Sequence, residues 1–177
     1  MNKHKVFFGS VIFLVLVLAG FIFVQERIVS TGTEVILETR PVDPRDLFRG
    51  EYVILRYKIE NDSLVNDEIS NNDLTDGNSV YVRLAVDNNK IASIAEVSKF
   101  RPDFSNGLWM RGEVDGRRVR FPDLEQYFVP EGAGTPIERL RNDVYVKVSI
   151  LDGEARVVGL LDKNLDEIDV YDYREKD

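Results

Sequence analysis

Nineteen consecutive residues without a charge, Val6 to Val24 (VFFGSVIFLVLVLAGFIFV), constrain this chain more than any other feature. As a helix rising ~1.5 Å per residue they reach roughly 29 Å, about the hydrocarbon thickness of a bilayer. The run is apolar on all faces, which argues against a core helix of a globular domain. Gly9, Ser10 and Gly20 do not break such a helix in lipid. Lys3 and Lys5 precede the run and favour a cytoplasmic N-terminus, a signal tempered by Arg27 on the far side. The competing reading is a cleaved signal peptide, with Val17-Leu18-Ala19 as its cleavage site. Against it, GFIFV continues the run, which exceeds the usual ~7–15 residues of a signal-peptide core. An uncleaved anchor is the favoured reading. Either one sends the remainder out of the cytoplasm, so a single-pass cell-membrane protein is expected, with residues 6–24 in the bilayer.

The charge pattern fits that division. Of 23 Lys and Arg, Lys3 and Lys5 lie before the run, leaving 21 against 31 Asp and Glu from Gln25 onward, a formal balance of −10. Nucleic acid and anionic headgroups repel such a domain, so no nucleic-acid partner is expected. The basic run Arg117, Arg118, Arg120 reads as a solvated strand end. There is no cysteine, and His4 is the sole histidine. Disulfides, thiolate catalysis, Ser-His-Asp triads and histidine or cysteine metal sites are thereby excluded from the domain, and no cofactor is expected.

Beyond Gln25 the dominant hydrophobic period is two, the period of a half-buried strand. Thr33 to Arg40, Glu51 to Ile59, Ser79 to Val86, Ile91 to Phe100, Gly107 to Val114, Arg117 to Phe121, Val144 to Ile150 and Ala155 to Leu161 are the candidate strands. Asp87-Asn88-Asn89-Lys90, Asp115-Gly116 and Asp152-Gly153 mark three hairpins, since such pairs accept the positive φ of tight turns. About eight strands with short helical turns predict a mainly β fold: an N-terminal transmembrane helix, then one antiparallel β-sandwich or barrel-like domain. The expected division is residues 1–26 for tip and anchor, 27–163 for the extracytoplasmic domain, and 164–177 for a mobile acidic tail, in which Val170, Tyr171 and Tyr173 could dock. Thr135-Pro136-Ile137-Glu138 carries helix-start signals through about Arg141. Residues 61–78, rich in Asn and Asp, read as an exposed loop with room for a turn of helix.

One stretch combines high charge with a strand pattern: DPRDLFRGEYVILRY, residues 43–57. Asp43 can cap a helical turn with Pro44 at its first position, and Asp46 then meets the free N–H groups. Leu47 and Phe48 offer an apolar anchor. Gly50 can leave the turn with positive φ. Val53, Leu55, Tyr57 and Ile59 then face the core, while Arg45, Arg49, Arg56 and Glu51 pair around the turn. Local physics accounts for these residues without a ligand. The alternative is a pocket lined by Arg45, Arg49, Glu51, Tyr52, Tyr127 and Glu131.

RGEYVILRY also resembles the motif that names the GDYXXLXY proteins, small membrane-anchored bacterial proteins without an assigned activity. Gly50, Tyr52, Leu55 and Tyr57 match the named positions, and Glu51 replaces the named Asp, keeping the charge on a longer side chain. PVDPRDLFRG before it and YFVPEGAGTPIE, residues 127–138 with Gly132 at the bend, are similar to that family too. The resemblance spans the anchor and most of the domain. It implies an N-terminal membrane segment and gene neighbourhoods containing multi-pass membrane proteins, and it carries over no catalytic residue.

The remaining chemistry is thin. A Ser-Lys enzyme would need a serine beside a lysine, yet Ser79, Ser93, Ser98 and Ser149 lie in or beside strands and Lys58 points outward. Glu51, Glu125, Glu131 and Glu138 are the carboxylates that a glycan-cleaving envelope enzyme could use. Asp162-Lys163-Asn164-Leu165-Asp166 starts like a calcium loop, but Glu167 takes the glycine position and Tyr173 the bidentate glutamate position. Gly132 and Gly134 could cradle an anion at the next helix start, but Glu131 opposes it. Trp109 and Tyr127 read as core or edge aromatics. The leading expectation is an extracytoplasmic domain that binds or supports a multi-pass membrane partner. A carboxylate-dependent envelope enzyme and a small-molecule-binding β domain are the alternatives.

Overall fold

In the computed structural model, which describes residues 3–40, 52–130 and 144–171, the first element is helix α1, Lys3–Thr31. Its Phe7–Thr31 part is long and apolar enough to cross a membrane, and its most apolar stretch is not buried against the rest of the chain. Everything after it is mainly β. Among the described residues there are nine strands: β1 (Thr33–Glu38), β2 (Tyr52–Ile54), β3 (Ser79–Val86), β4 (Ala92–Ser98), β5 (Leu108–Asp115), β6 (Arg118–Arg120), β7 (Gln126–Phe128), β8 (Tyr145–Leu151) and β9 (Glu154–Leu161). They form three antiparallel groups, ordered β1-β8-β9, β2-β7 and β4-β3-β5-β6.

The alternation seen in the sequence is the packing. In β3, Val80, Val82 and Leu84 point inward, and in β8 Val146, Val148 and Ile150 do the same. Each such side chain contributes roughly 1.5–3 kcal/mol by leaving water. The two larger sheets enclose one core and are stitched at their margins. The Ile36 N–H donates to the Lys90 carbonyl at 2.8 Å, and the Arg111 N–H to the Gly153 carbonyl at 2.8 Å. All three hairpins form where the turn sequences lie. Asp87 Oδ1 accepts from the N–H groups of Asn89 and Ile91, both at 2.8 Å. Gly116 has φ 64°, and Asp152 and Gly153 have φ 53° and 87°.

Four local features differ from the sequence reading. First, Glu51 to Ile59 is not one strand: pairing stops at Ile54, Tyr57 makes a lone bridge to Thr39, and Lys58–Asn61 is a 3-10 turn. The alternation survives as burial, since Val53, Leu55, Tyr57 and Ile59 are all in the core. The turn forms because the Glu60 carboxylate reaches back to the Tyr57 N–H at 3.2 Å, competing with any ladder partner. Second, residues 61–78 contain helix α2, Ser63–Asn71, with Asp62 as N-cap accepting from Leu64 N at 2.9 Å. Val65 and Ile69, one turn apart, give it a buried edge that the surrounding Asn and Asp concealed. Third, β7 is an extra strand. Fourth, the stretch 164–171 folds back by more than the Val170 docking that the sequence reading allows: the Ile168 N–H donates to the Leu160 carbonyl at 2.9 Å, and Ile168 and Val170 are both buried. The capped turn expected over Asp43, Pro44 and Gly50 and the helix start at Thr135 lie outside the described residues.

Candidate functional site

The described part of the charged motif, Tyr52 to Tyr57, is fastened along its length to residues 124–128. β2 and β7 pair Tyr52 with Phe128, Val53 with Tyr127 and Ile54 with Gln126. The Leu55 N–H then donates to the Glu125 carbonyl at 2.8 Å. The Tyr57 hydroxyl donates to the Leu124 carbonyl at 2.7 Å from a side chain that is 0% exposed. Two stretches some 70 positions apart in sequence are thereby a single ribbon.

The ribbon has two unlike faces. Inward, Val53 is buried and Tyr127 is half-buried against the core. Burial pushes the Tyr127 hydroxyl pKa up, and the nearby Glu167 and Tyr171 add to this. Outward, Tyr52 and Phe128 meet edge to face, ring centroids 6.1 Å apart at 65°, and Phe128 is 72% exposed. Tyr52 and Tyr127, expected to line one pocket, thus sit on opposite faces. Arg45, Arg49, Glu51, Glu131 and Gly132 lie outside the described residues.

Beside the ribbon is a set of ion pairs. Arg56 pairs with Glu125, which also meets Arg120 at 3.5 Å. Glu60, 0% exposed, accepts from the Tyr57 N–H and lies 3.4 Å from Arg40. Desolvation raises the Glu60 pKa, opposed by the Tyr57 N–H and by Arg56, Arg40 and Arg118. Tyr57 is pushed well above the usual phenol range, by burial first and then by Glu60 and Glu125. Sequence reasoning missed Glu60 and Arg40. The one available signal was the spacing, since an acid three residues after a strand end can cap its own backbone. Arg56 reaches across to residue 125, and the other residues expected to pair around the turn, Arg45, Arg49 and Glu51, lie outside the described residues.

Glu125 and Glu60 each face guanidinium groups, an arrangement that fixes their geometry. The serines have structural partners: Ser149 donates to the Ile28 carbonyl, Ser93 to Ala85, Ser98 to Phe100, and Ser79 accepts from Arg111. Lys58 pairs with Glu38 at 3.0 Å. Asp162 accepts from the N–H groups of Asn164 and Asp166, a polar turn whose bonds hold its carboxyl below the usual range. Among the described residues, no three His, Cys, Asp or Glu side chains are grouped to hold a metal ion. A cleft of about 160 Å³ between Arg111, Glu113, Asp123 and Glu154 stands apart from the ribbon's aromatic face.

Comparison with known proteins adds one finding. Residues 14–160 match the sequence model of a family described as GDYXXLXY protein. No curated protein and no solved structure matches the chain.

Proposed function

The chain belongs to the GDYXXLXY protein family, and from that premise we propose that it is a single-pass membrane protein whose β domain binds or supports a multi-pass membrane partner. In this reading the N-terminus is cytoplasmic and the domain is extracytoplasmic, in keeping with Lys3 and Lys5 before the apolar helix. The observation that carries it is the outward Tyr52–Phe128 pair. A large aromatic that is 72% exposed stabilises the fold little where it stands. Exposed aromatics held on a rigid ribbon are suited to anchor a protein interface. The Tyr57–Leu124 and Arg56–Glu125 ties hold that ribbon together.

The test places a photo-crosslinking amino acid at Phe128 in intact membranes and identifies the adducts by mass spectrometry. The expected result is one reproducible multi-pass protein, captured from Phe128 and absent when the crosslinker sits at Ser70 on α2. Capture of abundant bystanders alone from Phe128 counts against the proposal.

A further inference from the structure

The anchor and the domain are joined without a linker. α1 ends at Thr31 and β1 begins at Thr33, so Gly32 is the whole connection. The helix end is also docked. Ile28 is 6% exposed, and the buried Ser149 on β8 donates its hydroxyl to the Ile28 carbonyl at 2.7 Å. One turn earlier, Arg156 Nε on β9 donates to Gln25 Oε1 at 3.0 Å. Ser149 and Arg156 are register partners, so both bonds leave one face of the sheet and the helix crosses that face. Gly32 permits the close approach. A Cβ there would collide with Ser149 Oγ and sit 2.5 Å from the Ile28 carbonyl oxygen.

These contacts fix a depth. Gln25 directly follows Val24, the last residue of the apolar run. Ile28 lies ~4.5 Å further along the helix. The headgroup layer adds roughly 5–8 Å beyond the hydrocarbon on each side, so the docking contacts fall within it. Arg156 also pairs with Asp123 at 3.2 Å, which brings the Pro122–Leu124 turn to the same level. We infer that α1 and the β1–β8–β9 sheet form one rigid piece, and that this piece lays the Pro122–Leu124 turn and the first residues of β9 against the lipid headgroups. The occupant of this face is the bilayer surface, reached by continuity with the anchor. The mixed Arg156 and Asp123 charges suit zwitterionic headgroups better than a strongly anionic surface. A domain on a flexible tether would tumble, whereas this one presents the same side to any membrane partner.

The inference rests on the reading of α1 as a membrane anchor, and the test separates the two. Because the chain has no cysteine, single cysteines at Phe13, Pro122 or Ser70 of the full chain can each carry one environment-sensitive fluorophore. Each labelled protein is reconstituted into phosphatidylcholine vesicles bearing a nitroxide on the acyl chain or on the headgroup. The expected result is loss of fluorescence at Phe13 with the acyl-chain nitroxide, loss at Pro122 with the headgroup nitroxide, and retention at Ser70. Gly32→Val should keep the loss at Phe13 and abolish the difference between Pro122 and Ser70. Where Gly32→Val fails to fold, the paired change Gln25→Ala with Arg156→Ala, outside the core, should narrow that difference. Quenching at Phe13 with equal responses at Pro122 and Ser70 overturns the rigid joint and leaves the anchor standing. Quenching at Ser70 but not Pro122 shows that the wrong face was assigned. No quenching at Phe13 removes the anchor and this inference with it.

Discussion

The four-stranded sheet and the β2–β7 ribbon solve the same problem by different means. β3 and β5 share six register pairs, and their inward residues need only be apolar and of suitable size. The ribbon has three pairs, too few to hold two segments together by backbone bonding alone. Particular side chains supply the rest: the Tyr57 hydroxyl on Leu124, Arg56 on Glu125, and Glu60 turned back onto Tyr57. Where the ladder is long, backbone pairing carries the load. Where it is short, particular side chains do, and that is where Tyr52, Leu55 and Tyr57 of the motif fall.

The sharpest way to break this comparison is at Tyr57. Tyr57→Ala leaves a cavity in the core and should lower the stability of the reconstituted full chain by ~3–5 kcal/mol, read from denaturant unfolding. Tyr57→Phe strips the hydroxyl from a buried carbonyl and should cost ~1–3 kcal/mol. Tyr81→Phe, on the long β3 and only half-buried, should stay within about 0.5 kcal/mol. An equal loss at positions 57 and 81 would erase the distinction between ribbon and sheet.

Glu60 gives a pH signature. Its folded pKa is raised above the ordinary 4.5 by desolvation, so the folded chain holds a proton that the unfolded chain releases. That contribution to stability is full below 4.5 and is lost as pH rises through the raised value. The thermal midpoint of the parent should therefore fall relative to Glu60→Gln across that window, because the amide does not ionise. Asp115, lowered by its bond to Arg118, acts with the opposite sign and at lower pH, and it cancels in the comparison. Parallel curves for parent and variant would show that Glu60 is not desolvated in solution.

Smaller effects sharpen the picture. A double-mutant cycle on Arg56→Ala and Glu125→Ala should give a coupling of about 1 kcal/mol, since the pair is only partly shielded from water. Phe128→Ala should change stability by less than about 0.5 kcal/mol while removing partner capture. A Phe128 variant that unfolds the domain would reassign that ring to the fold.

Much of the architecture was legible because hydrophobic period is a direct record of burial. The apolar helix, the three hairpins and the long strands all follow from it. α2 was not legible, since Val65 and Ile69 are only two apolar positions within a polar stretch. The fate of Glu51 to Ile59 shows a different limit. Alternation fixed which side chains are buried, but not that Glu60 would turn the backbone out of the strand. The pairing of Arg56 with Glu125 depends on β7, which is three residues long and leaves no periodic trace. Tyr52 and Tyr127 share a ribbon, and only the register reveals that they face opposite ways.

The central claim is that side chains of the motif lock the ribbon where backbone pairing is thin. Native-state amide exchange in Tyr57→Phe tests it most directly. The account predicts faster exchange at Leu55, whose N–H bonds to Glu125, in Tyr57→Phe and not in Tyr81→Phe. Unchanged exchange at Leu55 in Tyr57→Phe, or an equal rise in both variants, would contradict it.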